Sequence, residues 1–359
     1  MSSKIANLSM TLLLLLFYYN MVFSQDSTQK NLNNTQLNQA TTKDTLPATV
    51  PISQFLFAGN KRYTIDGTLP YLHTNVKALP TTIFTCVLTG IFIVQHEMQQ
   101  NTIWKRVGPF QVAEDAKYSA YLDKCGHFYG TFMPSYVFSE CLIGSGFGWD
   151  DASLIGGVLG LAYNTYVEIH DGFSKDFGFS PSDWYGDVAG ATFFIAQHYI
   201  PFLQNFTPKF MYVQPSWHHE VPRLDALSFI DNYSTQTFYM GINVYNMLPD
   251  DLKKYWVPWL ELSFGYAVYS MSEGTTSNGA ELIYDEPNTK WGKVYGNRKF
   301  LISLDYNLIN LLPDGGWFWN WFRQGLNYFK LPSPTIEIGK VTKFYLLYPF
   351  SINIGKTRF

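Results

Sequence analysis

The stretch Trp259-Leu260-Glu261-Leu262-Ser263-Phe264-Gly265-Tyr266-Ala267-Val268-Tyr269-Ser270-Met271 sets Leu262, Phe264, Tyr266 and Val268 against Glu261, Ser263, Gly265 and Ala267. A period of two is the signature of a β-strand, whose successive side chains leave opposite faces. Thr237–Leu248, Lys299–Leu311 and Lys343–Ile354 repeat the pattern, so each run is 12 or 13 residues long. Globular strands commonly reach ~5 to 6 residues, whereas a tilted strand needs ~9 to 11 to cross a bilayer. One face is aliphatic or aromatic and the other small or polar, the pattern of outer-membrane strands. A long two-faced sheet packed on helices is the soluble alternative. With Lys209–Gln214 and Pro334–Lys340 the count is about six, below the eight strands of the smallest closed bacterial barrels.

Upstream of Pro208 the period lengthens to that of a helix. Four apolar stretches of helical length, Thr81–Gln99, Gly126–Leu142, Asp150–Ile169 and Ser182–Leu203, are separated by polar turns. The expected fold class is therefore α+β: a helical bundle over 52–207, then an antiparallel β region over 208–359 that forms a partial or complete outer-membrane barrel. Residues 1–24 carry Lys4, an uncharged core built on Leu12 to Leu16, and Val22-Phe23-Ser24 before Gln25, which reads as a cleavable secretory signal. Residues 25–51 are rich in Gln, Asn, Thr and Ser, with little to bury, and read as a disordered tether.

Charged residues make up 15% of the 359, against ~25% for an ordinary soluble domain, and aromatics reach 18%. A net charge of −3 offers no basic footprint for nucleic acid. The three cysteines, Cys86, Cys125 and Cys141, lie in apolar helical stretches without metal-type spacing, and read as buried inert thiols rather than as one disulfide plus a free thiol.

Against so few charges, one polar constellation stands out. Asp123 and His127 are four apart at one helix start, Glu168 and Asp171 three apart at a helix end, and Asp183 and Asp187 four apart at the next start. Each pair shares a helix face. Such groups near an apolar core are costly unless they pair with one another or bind a cation. One reading is a divalent-metal site with His127, Glu168 and Asp187 as ligands, Asp123, Asp171 and Asp183 in support and Lys124 as counter-charge. Mixed N/O donors suit Zn, Mn or Fe, and the carboxylate excess leaves Ca and Mg open. The other reading is a self-satisfied network, with Asp123 and Asp183 as N-caps, Asp171-Gly172 as a C-terminal turn and Lys124 paired with Glu168. His96, His170 and His198 read as single residues on helix faces, and Trp217-His218-His219-Glu220 as a solvated loop. No phosphate loop, nucleophile elbow or zinc-protease motif occurs, and no serine nucleophile is visible.

The ordered blocks Asp123-Lys124-Cys125-Gly126-His127-Phe128, Glu168, Asp171-Gly172-Phe173-Ser174, Trp184 to Gly190, Asp231-Asn232-Tyr233 with Gln236-Thr237, Phe264-Gly265-Tyr266, and Lys330-Leu331-Pro332-Ser333-Pro334 with Glu337 resemble the YfiM-like predicted envelope proteins common in Bacteroidota. That resemblance, spanning about Gln95 to Tyr345, implies an envelope location and no reaction, because the family is a domain of unknown function. The chain departs from it in lacking a lipid-accepting Cys and in carrying Asp187 where Asn is expected. The helical half is also similar, over fewer residues, to VanZ-like membrane proteins. The expectation is a non-enzymatic outer-membrane component with a periplasm-facing helical part, whose partners are outer-membrane lipid and other envelope proteins. The alternative is a metal-assisted hydrolase or transferase acting on lipid or glycolipid head groups, with His127 or Glu168 as base.

Overall fold

Helix formation follows the apolar stretches, with the boundaries set by local chemistry. The computed structural model describes residues 47–359 except 219, 221, 222, 224–227, 274–279, 287–291, 355, 356 and 359, so the signal and most of the tether lie outside the described residues. Helix α1 is Ala78–Asn101, α2 Leu122–Gly144, α3 Trp149–Phe173 and α4 Pro181–Tyr199. Pro181 at the first turn of α4 needs no N–H partner, and Ser180 caps that helix by accepting from Asp183 N at 3.3 Å. The helix expected to reach Leu203 stops at Tyr199, with Pro201 opening a separate 3-10 turn over Pro201–Asn205. Helices α2, α3 and α4 pack on one another through small residues. A Cβ at Gly156 or Gly160 would collide with Ser139 or Ser135, and one at Gly190 with the Phe128 carbonyl.

The β region forms one seven-stranded antiparallel sheet: β1 Phe206–Tyr212, β2 Gln236–Ile242, β3 Leu260–Glu273, β4 Leu282–Glu286, β5 Gly292–Tyr306, β6 Ser333–Ile338 and β7 Lys343–Tyr348. The hydrogen-bonded order is β1-β2-β3-β5-β6-β7, with β4 paired to β5. The fold is α+β, and the sheet does not close into a barrel. The β1 and β7 ends nevertheless share one buried cluster through Met211, Tyr239, Tyr345 and Tyr348.

The sheet is inverted relative to a soluble one. In register across β3, β5, β6 and β7, Phe264, Ile302, Ile336 and Phe344 form an exposed apolar row. The neighbouring row of Ser263, Ser303, Thr335 and Tyr345 is buried. Lys209, Glu261, Asp305, Lys299 and Glu337 are also buried, with ion pairs Lys209–Glu261 at 3.0 Å, Lys209–Asp305 at 3.3 Å and Lys299–Glu337 at 3.2 Å. Helix α2 covers part of the apolar face, Tyr129 stacking on Phe210 and leaning on Phe238. Ala120, just before α2, covers Tyr266 and Val268, and the face around Phe264, Ile302, Ile336 and Phe344 stays exposed.

Two more elements show the same inversion. Along α1, Leu79, Ile83, Val87, Ile91, Val94 and Met98 recur at helical spacing on the exposed side, Leu79 and Val94 each 71% exposed, while Gln99 is buried. Helix α5, Trp317–Leu326, was not expected from the sequence. It buries Asn320, Arg323 and Gln324 and exposes Trp317, Phe318, Trp319 and Phe322.

Several expected boundaries are corrected. The strands expected to run to Leu248 and Leu311 stop at Ile242 and Tyr306, because Asn243 and Asn307 each cap a four-residue helix by accepting from the backbone N–H three residues on. The last long strand ends at Tyr348, before Pro349, which has no N–H to give a ladder. All three cysteines are free, and Cys86 is exposed on α1 rather than buried.

Candidate functional site

Three helices converge on one imidazole. His127, one turn into α2, has Nδ1 3.1 Å from Asp187 Oδ1 on α4 and 3.6 Å from Glu168 Oε1 on α3. Its Nε2 lies 3.5 Å from Asp123 Oδ1 and 3.6 Å from Asp183 Oδ1. The approach of α4 needs Gly186, where a Cβ would stand 3.1 Å from that of His127. Two donor sets share His127: Asp123, His127 and Asp183, and His127, Glu168 and Asp187, each with ligand atoms within 4.8 Å of one another.

The surrounding bonds distinguish the two sides of the ring. Lys124 Nζ lies 2.7 Å from Asp123 Oδ2 and 2.5 Å from Asp115 Oδ1 and also bonds Asp183, so the Nε2 side already holds a cation. Lys124 therefore pairs with these three acids and not with Glu168, as the network reading had it. On the Nδ1 side, Asp187 Oδ1 accepts from Thr131 Oγ1 at 2.9 Å, and Glu168 Oε2 accepts from Ser180 N at 3.1 Å. Asp187 is fully buried and its Oδ2 has no hydrogen-bond partner among the described residues. Asp171 lies off this centre, accepting from Trp104 Nε1 at 2.6 Å.

Electrostatics follow from burying many acids around few cations. Burial pushes the Glu168 carboxyl up to about 8, with His127 opposing and Asp171 adding to the rise. Burial likewise lifts Asp171 to about 7 and Asp183 well above its ordinary value. For Asp123, burial is outweighed by Lys124 and His127, which hold it well below the usual range. His127 also resists burial, and Asp183, Asp123 and Asp187 hold it well above 6.5.

Sequence reasoning named His127, Glu168, Asp187, Asp123, Lys124, Asp171 and Asp183, but missed Asp115, Ser180, Thr131 and Trp104, which arrive from loops or carry no charge. The supposed single histidines have partners. His96 and His170 lie 5.5 Å apart by ring centroid beside Trp104 and Tyr166, and His198 Nε2 bonds Asp150 Oδ1 at 2.6 Å. His198 Nδ1 lies 3.2 Å from Ser153 Oγ, but Ser153 is buried and donates to Trp149 O at 2.9 Å, a helix-internal bond. Glu220, expected in solvent, accepts from Ser270 Oγ at 2.6 Å and Asn297 Nδ2 at 2.9 Å.

Residues 113–198 match a family model described as predicted periplasmic lipoprotein, DUF2279. That match supports a cell-envelope location. It spans α2, α3 and α4 and so contains the whole acidic cluster, while the model, a domain of unknown function, carries neither the YfiM nor the VanZ name. No curated protein and no solved structure matches the chain.

Proposed function

We propose that this is a non-enzymatic component of the outer membrane, with the open apolar face of the sheet against lipid and the α2–α4 cluster on the periplasmic side. The observation that carries the reading is the inverted sheet. Water would reward the opposite arrangement, because exposing Phe264, Phe300 and Phe344 while burying Lys209, Glu261 and Asp305 forfeits hydrophobic burial and adds desolvation cost. In hydrocarbon the same arrangement is favourable.

Two further elements support it. Helix α1 has 24 residues, about 36 Å at 1.5 Å per residue, enough to cross a ~30 Å hydrocarbon core, and its apolar window has no buried share. Trp317, Phe318 and Trp319 of α5 are exposed beside the turn that ends β5, as aromatic side chains are at a lipid–water interface. The test is fractionation of envelopes: the protein should sediment with outer-membrane markers and stay there through high salt and carbonate. Release into the soluble periplasmic fraction would instead favour a packed soluble sheet.

A further inference from the structure

We propose that His127 Nδ1, Glu168 and Asp187 bind one divalent transition-metal ion, with Asp123 and Asp183 serving as outer carboxylates that orient the histidine.

The donor atoms have the necessary spacing. A tetrahedral ion with bonds of about 2.0 to 2.2 Å holds its ligand atoms about 3.4 Å apart. The two separations from His127 Nδ1, 3.1 Å to Asp187 and 3.6 Å to Glu168, bracket that span. Spacing alone does not choose between the two sides of the ring, because the Nε2 separations of 3.5 and 3.6 Å also fit. The position of Lys124 does choose. Its ammonium group bonds both Asp123 and Asp183, and a second cation there would meet it at contact distance.

Among the described residues no lysine or arginine pairs with Glu168 or Asp187, and the Nδ1 side has an unmet acceptor. Asp187 is fully buried, yet Oδ2 has no hydrogen-bond partner among the described residues. A buried carboxylate oxygen without a partner costs of order 1 to 3 kcal/mol, a cost that a bound cation removes. The far side of the histidine is also prepared. Metal-ligating imidazoles usually direct their other N–H to a carboxylate, and Nε2 faces Asp123 and Asp183, themselves fixed by Lys124. One imidazole nitrogen with two carboxylates is a donor set for zinc or manganese rather than for an all-oxygen calcium site. The proposal is independent of how the sheet meets lipid.

The test uses the full chain, purified in detergent, stripped with EDTA and titrated calorimetrically with ZnCl2, MnCl2 and CaCl2. One equivalent of zinc or manganese should bind, more tightly than calcium by tenfold or more. His127→Ala and Asp187→Asn should each weaken zinc at least ~10-fold, whereas Asp183→Asn should change it less than Asp187→Asn does. Glu168→Gln replaces Asp187→Asn as the readout if the latter fails to fold by near-ultraviolet circular dichroism. Absence of stoichiometric binding, a preference for calcium, or a larger loss with Asp183→Asn than with either Nδ1-side variant would each overturn the assignment.

Discussion

Lys209 on β1 reaches across β2 to Glu261 on β3, Nζ to Oε2 at 3.0 Å, and both side chains are almost wholly buried inside the curved sheet. Asp305 on β5 and the Tyr306 carbonyl complete the surroundings of the same ammonium at 3.3 and 3.1 Å. One cation thus ties together three strands whose same face carries, farther along, the buried cluster of Met211, Ala267, Tyr269 and Leu301.

Replacing Lys209 by Met should therefore destabilise the protein by about 3 to 5 kcal/mol, because Glu261 would be left buried without its counter-charge and Asp305 would keep only Lys330, at 3.6 Å. The double variant Lys209→Met with Glu261→Met should recover part of that loss. Thermal melting of both variants in one detergent checks the order. A single variant as stable as wild type would show that water reaches this face.

The outer face makes the opposite prediction. Ile302→Lys should reduce the share of protein recovered in the membrane fraction, since a lysine facing mid-bilayer costs about 2 to 4 kcal/mol. Ser303→Lys, one residue along β5 and on the buried face, should leave the outer surface apolar and act on folding instead. Equal recovery of the Ile302→Lys variant and wild type from membranes would count against lipid contact at this strand.

How much of this was legible beforehand depended on which signals were local. The four helices and most strands follow from apolar periodicity, and the acidic cluster follows from three helix ends in a chain with few charges. The direction of each face does not follow, because alternation is the same whether the apolar side meets a core or a bilayer. The strand ends at Ile242 and Tyr306 did carry a signal: Asn243 to Asp250 and Asn307 to Asp314 share the pattern Asn-x-x-Asn-x-Leu-Pro-Asp. The Asn side chain turns the backbone at both places. Helix α5 was missed because its Trp and Phe positions look like a core face, yet Arg323 is the side chain turned inward. Lys124 was assigned the wrong partner since Asp115 comes from a loop that no helical spacing could bring to it.

A strained turn just before α2 gives a stabilising prediction. Ser119, Ala120 and Tyr121 have φ of 48°, 56° and 68°, left-handed values that cost L-residues roughly 1 to 2 kcal/mol each. Ser119 is also fully buried, with an Oγ that has no hydrogen-bond partner among the described residues. Ser119→Gly removes both penalties, against a higher chain entropy in the unfolded state. The expected gain is about 1 kcal/mol, read as a rise of a few degrees in melting temperature. A fall would mean that the hydroxyl holds a water or that the turn is not strained.

The last prediction concerns pH. Asp171 and Glu168, lifted by burial to about 7 and about 8, keep protons in the fold that the unfolded chain, with carboxyl values near ~4, would have released. Between those limits the folded state binds more protons, so stability falls as pH rises, by up to about 1.4 kcal/mol per pH unit for each such proton. His127, raised above its unfolded value of about 6.5, acts in the same direction: its contribution is present below that value and is lost as pH climbs through the folded one. Asp123 does the reverse, since its depressed value gives stability above ~4 that is lost on acidification. His170, which burial holds down at about 4, and the likewise lowered His96 and His198 oppose this below about 6.5, so the metal-free protein should melt progressively lower from about pH 6.5 to 8. Asp171→Asn, which can still accept from Trp104 Nε1, should flatten that decline and melt above wild type at pH 8. A melting temperature that rises over the interval, or an unchanged slope in Asp171→Asn, would show that this carboxyl is ionised in the fold.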